Sequence, residues 1–372
     1  MSLLTSAVGR ARTAVHAARR VRRALTLLPE AVQRVRDPEH SRTYYPEAER
    51  KSPLQMTAEN VRYLFRNGQV DKYYFSYGLD RKGARTDSVV PYPTFWALRD
   101  GANEALLDQG HNYVCILRDK FVFAQFASSL GYPTPRNVAF LSADAVEPIG
   151  SREAAPLEAL LDEDVDGICK PFDGTLGRGV FMLRVEGGDL FVDGRPASLD
   201  ELRGMLPGRS ILQERIDQHA VLAGLHEPSL NTARVVTVMD RGEVRVFTAH
   251  LRVGRGGALI DSWGLGSLAV PIDSETGTLM GKGLIRAGTP GWVTHHPDTG
   301  VELDGLALPF YAEGVDLVRR LHEDIRYVHT VGWDLAFTPD GPSIVEGNDR
   351  WGASTVMALE PDFKERFLAL YD

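Results

Sequence analysis

The spacing of hydrophobic positions changes along the chain, and each change predicts a different kind of element. Over residues 1–36, Val8, Ala11, Val15, Ala18, Val21, Leu25 and Leu28 recur at intervals of three and four. That spacing predicts one amphipathic helix, which Pro29 is expected to end or kink. Residues 38–52, PEHSRTYYPEAERKS, are polar and proline-punctuated and read as a linker. AENVRYLFRNG then has a helical pattern that stops at Gly68, and VVPYPTFWALRDGANEALLDQG reads as a short extended piece leading into a helix. NYVCILRDKFVFAQFASSLGYPTP predicts a strand, then a helix with Asp119 as N-cap, then a proline-marked exit.

From residue 138 the period shortens to two. GICKPF, GVFMLRV, GDLFVDG and SILQERI are predicted strands, two of them joined by the hairpin signal EGGD. After residue 231 the strands lengthen, in TARVVTVMD and RGEVRVFTAHLRVG, and a glycine-rich stretch follows, GRGGALIDSWGLGS. A helix is expected over about 309–325 and a two-strand hairpin over 331–348. No internal repeat is present. The pattern predicts an α/β or α+β protein with largely antiparallel sheets in several lobes.

Composition narrows the function classes. The 372 residues are 43% hydrophobic and 25% charged, ordinary for a soluble globular protein large enough for two or three lobes. A formal net charge of −8 provides no basic field to attract nucleic acid. The two cysteines, Cys115 and Cys169, sit beside aliphatic residues and read as buried, reduced thiols, too few for a disulfide framework. No apolar run is long enough to span a bilayer, so a cytoplasmic protein is expected. The arm at residues 1–36 departs from the average, with eight arginines and one acid, Glu30. It reads as a helix docked on its own protein, a membrane-surface helix or a partner-binding arm. Docking leads, because amphipathic helices are commonest as core-facing elements.

Candidate chemistry begins at ICKPFDGTLGRGVFML, residues 168–183. Lys170 ends a strand, and Gly174, Gly177 and Gly179 occupy a loop with Arg178. Glycines let backbone N–H groups close on phosphate oxygens, and a lysine adds a point charge. The loop is not a Walker motif, and taken alone it fits a plain hairpin turn equally well. Lys120 is a second candidate phosphate cation. SILQERI ends in Gln213, Glu214 and Ile216, where a strand end offers main-chain groups to an adenine edge between aliphatic side chains. In the last hairpin, Asp334, Glu346 and Asn348 form the oxygen-donor set that Mg²⁺ takes alongside phosphates. Glu346 and Asn348 are two apart, hence on one face of a strand.

This ordered set resembles the ATP-grasp superfamily. The stretches PSLNTARVVTV, IDSWGLGSLAVPIDSETGTL, HHPDTGVELDGLALPF and VGWDLAFTPDGPSIVEGN resemble its sugar-transfer-associated family, from about residue 55 to 352. The resemblance implies an α+β fold in which two antiparallel-sheet lobes clasp ATP. Expected boundaries are an arm and linker over 1–45, a small N-terminal domain over 46–113, a central lobe over 114–218 and a C-terminal lobe over 219–372. Lys120 and Lys170 would contact ATP phosphates under the 173–179 loop, and the Gln213–Glu214–Ile216 hinge would hold adenine. Asp334, Glu346 and Asn348 would hold one or two Mg²⁺, for which Mn²⁺ can substitute. The implied activity is an ADP-forming ligase that activates a carboxylate as an acyl phosphate for attack by an amine, in natural-product or polysaccharide assembly. An ATP-grasp kinase and a non-catalytic nucleotide-binding scaffold remain as alternatives.

Arg234 and Arg252 lie in strands expected to face the same cleft, where a guanidinium fork suits a carboxylate or a transferring phosphoryl group. With Lys170 they are the expected catalytic cations. Arg178 and Arg255 fit phosphate clamps and solvated loop residues equally. Asp261–Ser262 and Gly266–Ser267 replace the Asp-Asn and Gly-Gly often found in the family, so Asp261 and Ser262 are candidates for the acceptor pocket. His295 and His296 read as solvent-exposed loop residues, His219 and His226 as structural, and Trp263, Trp333 and Trp351 as packing around the cleft. Expected partners are a carboxylate and an amine, either of them carrier-bound or free, with a homodimer as the default assembly.

Overall fold

The computed structural model describes the chain apart from residues 1, 106, 108, 109, 152, 173–178, 207, 260–265 and 287–289, and apart from the side chains of residues 2–18. The chain forms two compact units, one of Met1–Leu98, Pro290–Trp292 and Ala353–Asp372, the other of Arg99–Thr289 and Val293–Gly352.

In the first unit, helix α1 (Ser2–Arg36) runs past Pro29, so the proline does not end it. Packing explains this: Ala24, Ala31 and Val35 are buried, and Ala24 and Ala31 form a core with Leu64 and Val70. That burial outweighs the one hydrogen bond a proline removes. Val21 and Leu25 stay exposed. Helix α2 (Pro53–Asn67) starts where the Ser52 side chain accepts from Gln55 N–H, and it ends at Gly68, whose φ of 72° lets its N–H reach the Leu64 carbonyl. The stretch over 38–52 is not a free linker. Tyr44 is buried, and the buried Lys51 ammonium bonds both Glu59 oxygens and the Ala84 carbonyl. Phe95, at the start of α3 (Tyr92–Glu104), packs on Phe363 and Phe367 from the C-terminal segment.

The second unit begins with a correction. The segment read as a strand before Asp119 is helix α4 (Val114–Arg118), followed by α5 (Lys120–Ser129). Val114 and Leu117, three residues apart, both enter the core, so a short apolar run adopted the helical period. Asp119 is the expected N-cap, accepting from Phe121 and Val122 N–H, and Lys120 therefore opens a helix that follows a helix. Cys115 on α4 is exposed, unlike the buried Cys169, because the α4 face opposite Val114 and Leu117 points outward.

Two antiparallel sheets follow. The first contains β1 (Asn137–Leu141), β2 (Ala145–Pro148), β3 (Ala155–Pro156), β4 (Val165–Pro171), β5 (Phe181–Glu186), β6 (Asp189–Val192), β7 (Arg195–Pro196) and β8 (Ser210–Glu214). Their order is β3-β2-β1-β8-β4-β5-β6-β7. Leu141, Cys169, Leu183 and Leu212 lie in its core beneath α6 (Leu199–Met205), with Leu202 of that helix. After α7 (Ala220–Leu225) come β9 (Thr232–Asp240), β10 (Glu243–Val253), β11 (Leu268–Pro271), β12 (Gly283–Ile285) and a short β13 (Gly291–Val293). Helix α8 (Tyr311–Asp324) precedes the hairpin of β14 (Thr330–Thr338) and β15 (Gly341–Asn348). The central order of the second sheet is β12-β11-β10-β9-β14-β15.

One face of the second sheet packs Ala233, Val235, Ala249, Leu251, Trp333 and Leu335 against Val318 and Leu321 of α8. Polar atoms inside that layer are satisfied. Trp333 Nε1 donates to Thr237 Oγ1 at 2.7 Å, Thr237 donates to His322 Nδ1 at 2.7 Å, and His322 Nε2 donates to the Val328 carbonyl at 2.8 Å. Trp333 thus belongs to this core. Among the described residues no helix is long and apolar enough to cross a membrane.

Candidate functional site

The alternation that buries one face of the second sheet sends the intervening residues to the other. Register then aligns them: His250 of β10 lies opposite Arg234 of β9, Arg234 opposite Asp334 of β14, and Asp334 opposite Glu346 of β15. Strand neighbours are about 4.8 Å apart, so four polar side chains form one row across the sheet. Arg252 stands two residues along from His250, opposite Thr232, whose Oγ1 accepts from Arg252 Nη2 at 2.6 Å.

Asp334, 5% exposed, is the anionic centre of the row. Arg234 Nε is 2.6 Å from one of its oxygens and Arg252 Nη2 is 2.8 Å from the other. Burial alone would raise this carboxyl, but the two guanidiniums outweigh it and hold the group far below the usual carboxylate range. On the hairpin partner, Asn348 Nδ2 is tied to Glu346 Oε1 at 3.1 Å and to the Gly332 carbonyl at 3.4 Å, which leaves the amide oxygen as its acceptor.

The first sheet supplies the opposing cations. Lys170, near the end of β4, donates to Gln213 Oε1 at 2.8 Å. Gln213 is itself fixed, its Nε2 donating to the Pro135 carbonyl at 3.2 Å and to Asn137 Oδ1 at 3.1 Å. Its side chain therefore aims Lys170. Burial pushes the Lys170 ammonium below its ordinary value; Glu346 and Asp334 act to restore it and Lys120 opposes it. Lys120, Glu346 and Asp334 are thus near enough for their charges to act on the Lys170 ammonium. Among the described residues, Lys120, Lys170, Arg234 and Arg252 are the cations and Asp334 and Glu346 the carboxylates of this group.

Beside Lys170 is a cavity of about 210 Å³ lined by Ile168, Met182, Gln213, Glu214, Ile216 and Val345 among others. The aliphatic and thioether side chains offer flat apolar walls next to the main chain of the β8 exit. The Glu214 carboxylate is engaged by Arg136, accepting from its N–H at 2.9 Å and from Nε at 3.3 Å. Gly179 has a φ of 71°, and a Cβ there would press on Pro171. Gly174, Gly177, Arg178, Asp261, Ser262 and Trp263 lie outside the described residues.

Other expectations change. His296 is not exposed: it is 1% accessible, its Nε2 donating to the Gly254 carbonyl at 2.8 Å. His226 Nε2 likewise donates to the Gly256 carbonyl at 3.0 Å, so two histidines brace the turn at Arg255. Arg255 Nε bonds the Gly266 carbonyl. His219 caps α7 by accepting from Val221 N–H. Residues that sequence reading passed over include His250, whose signal was its alternation with Ala249 and Leu251. Asn103 and Arg118 were also missed. Asn103 Nδ2 bonds the Thr330 and Asp349 carbonyls and Arg118 pairs with Asp349, and together they anchor the end of the hairpin.

Two antiparallel sheets, one carrying Lys170 and the other an acid–amide hairpin, fit the ATP-grasp class. Residues 106–368 match the family described as sugar-transfer associated ATP-grasp, and the chain belongs to that family. Comparison with curated proteins gives no match. Among solved structures, the L-amino acid ligase from Bacillus licheniformis is similar at 14% identity and a TM-score of 0.36, with 72% of this chain and 50% of that one covered. The N5-carboxyaminoimidazole synthetase from Staphylococcus aureus, complexed with ADP, is similar at 14% identity and a TM-score of 0.39, covering 68% and 52%. The D-alanyl-alanine synthetase A from Vibrio cholerae follows at 9% identity and a TM-score of 0.34, covering 62% and 54%. The chain thus spans about half the length of these proteins.

Proposed function

We propose that this protein is an ATP- and Mg²⁺-dependent ligase that activates a carboxylate as an acyl phosphate and couples it to an amine. The observation that carries the reading is the Arg234–Asp334–Glu346 row, whose two acids act together with Lys120 on the Lys170 ammonium. The lysines suit the phosphates of ATP, and the apolar cavity beside Lys170 suits its base.

The donor set fits a hard cation. Glu346 and the Asn348 amide oxygen are oxygen ligands of the kind Mg²⁺ selects, with Asp334 as a third that the arginines share. When bound, the ion would neutralise phosphate charge and orient the γ-phosphoryl group. Lys170, aimed by Gln213, and Lys120 hold phosphate oxygens, while Arg234 and Arg252 offer N–H donors to the substrate carboxylate. A carboxylate oxygen bonds to the γ-phosphorus as the bond to the β–γ bridging oxygen breaks and ADP leaves. The amine then attacks the acyl carbon, phosphate departs with the C–O bond pair, and the amine loses a proton. Positioning and charge neutralisation supply the rate, as in phosphoryl transfer generally.

ATP turnover with a pooled carboxylate panel, with and without hydroxylamine, tests this for wild type and Glu346→Ala. Mg²⁺-dependent hydroxamate that Glu346→Ala abolishes is the expected result. ADP formation with no hydroxamate from any carboxylate overturns the acyl-phosphate step and points to a kinase.

A further inference from the structure

Helix α1 carries two apolar faces, and its own unit covers one of them. Ala24, Ala31 and Val35 recur at the spacing of one helix face and are buried, with Leu27 and Leu28 packed beside Ala24 and Ala31. The stripe of Val8, Ala11, Val15 and Ala18 follows a different face. Continued at the same alternation of three and four, it reaches Arg22, Leu25 and Pro29, and all three are exposed, Leu25 by 57%. Val21, three residues after Ala18, is 44% exposed. Because α1 is one helix from Ser2 to Arg36, each series keeps to its own side. The C-terminal half therefore docks by one face, and the stripe of the N-terminal half runs on along the nearly opposite one. Of the stripe's positions, only Leu28, at the margin between the faces, joins the docked side.

Charge selects what the second face takes. With eight arginines and Glu30 the arm is +7 and the rest of the chain −15, which together give the −8 of the whole. Arg12, Arg19 and Arg22 each stand four residues after a stripe position, Val8, Val15 and Ala18, so guanidiniums border the stripe along its length. Arg19, Arg20, Arg22 and Arg23 are exposed, and among the described residues none of them has an acidic partner. A second copy of the helix would set like charges side by side. A nucleic acid would use the arginines and leave Val21 and Leu25 in water. An anionic bilayer surface takes both: lipid phosphates accept from the guanidiniums, and the acyl boundary receives the apolar positions while the arginine stems reach back to the headgroups. Alanine and valine insert weakly, so the charge is needed for the contact to hold.

We propose that this face of α1, the stripe from Val8 to Leu25 with its arginine border, is a docking surface for an anionic lipid bilayer, along which the helix lies without crossing it. The contact is peripheral and reversible. It uses no residue of the nucleotide site and stands apart from the ligase reading.

Sedimentation of the full chain with vesicles tests this, using phosphatidylcholine alone and phosphatidylcholine mixed with phosphatidylglycerol. Binding is expected to the mixed vesicles only, and it should weaken as salt rises. An arginine near such a surface is worth about fivefold in partitioning, so Arg12→Gln, Arg19→Gln and Arg22→Gln together should lower binding by about 100-fold. Lysine at the same three positions keeps the charge and should retain it. Val15→Ser with Leu25→Ser leaves every charge in place and should lower binding by about tenfold. Failure to bind the mixed vesicles, or equal binding to phosphatidylcholine alone, overturns the proposal. Binding that the serine pair leaves unchanged also overturns it, and marks a purely ionic arm of the kind that takes nucleic acid.

Discussion

Each of the two units buries an aspartate, and the two carboxyls end on opposite sides of their ordinary value. Asp71, in the unit of α1 and α2, is 5% exposed; burial pushes it up to about 6, and the Tyr73 and Tyr74 N–H groups and the Arg34 charge recover only part. Asp334, in the two-sheet unit, is equally inaccessible and is driven far down because two guanidiniums touch it. Burial is common to both; contact with cations is what differs. An acid in the first environment is a local liability, and an acid in the second is an organised charge centre.

Removing one arginine should break this contrast most severely. Arg234→Met leaves Asp334 with a single guanidinium, and losing one partner of a buried ion pair destabilises by about 3–5 kcal/mol. Urea unfolding is the check, and a loss well under 1 kcal/mol would show that solvent already screens the cluster. Asp334→Asn should lose stability as well, because two guanidiniums then face each other with no acid between them, and ATP turnover should disappear with it.

Acid should act next. His322 is pushed down to about 4 by burial, below its unfolded value near 6.5, so the unfolded chain binds the extra proton between those limits. Stability is therefore present above pH 6.5 and lost toward pH 4, by up to about 3 kcal/mol. His250, held down to about 3, adds a slope of the same sign. Asp334 adds its own loss only below about pH 4, its folded value being depressed. Stability measured between pH 7 and 4 should show the fall, and a flat profile would refute it.

Asp71 has the opposite sign. With its folded value raised, its favourable contribution is full below about pH 4 and is lost as the pH passes about 6. Asp71→Asn should therefore stabilise the protein at pH 7, by about 1–3 kcal/mol, and the advantage should vanish below pH 4. Equal stability of the two proteins at pH 7 would mean that the charge is better compensated than its contacts indicate. The smallest effect belongs to the surface: Lys82→Ala removes an exposed pair with Glu49, and unfolding should move by less than about 0.5 kcal/mol.

Much of the fold is legible in the residues taken alone. Alternation in TARVVTVMD and VFTAHLRVG marks β9 and β10 and assigns each side chain to a face. The Glu-x-Asn spacing puts Glu346 and Asn348 together, and the loop after Lys170 stands out by its glycines. Short apolar runs are less secure: VCILR has the composition of a strand and became α4, because Val114 and Leu117 found a core at helical spacing. Burial of single polar residues was also misread, in His296 and Cys115, since accessibility is set by neighbours distant in the chain.

What the sequence by itself determined was local: the period of each segment, the caps at Asp119 and Gly68, and the presence of a lysine loop and an acid–amide hairpin. Periodicity says which way a side chain points, and local hydrogen bonds say where an element starts and stops. Who stands beside whom was decided only by strand register. Asp334 meets Arg234 across a hundred positions of sequence, and His250 joins their row through one further strand pairing. The acid that sequence reading paired with a metal has two arginines as its contacts, because long-range pairing places charges together and no local pattern encodes it.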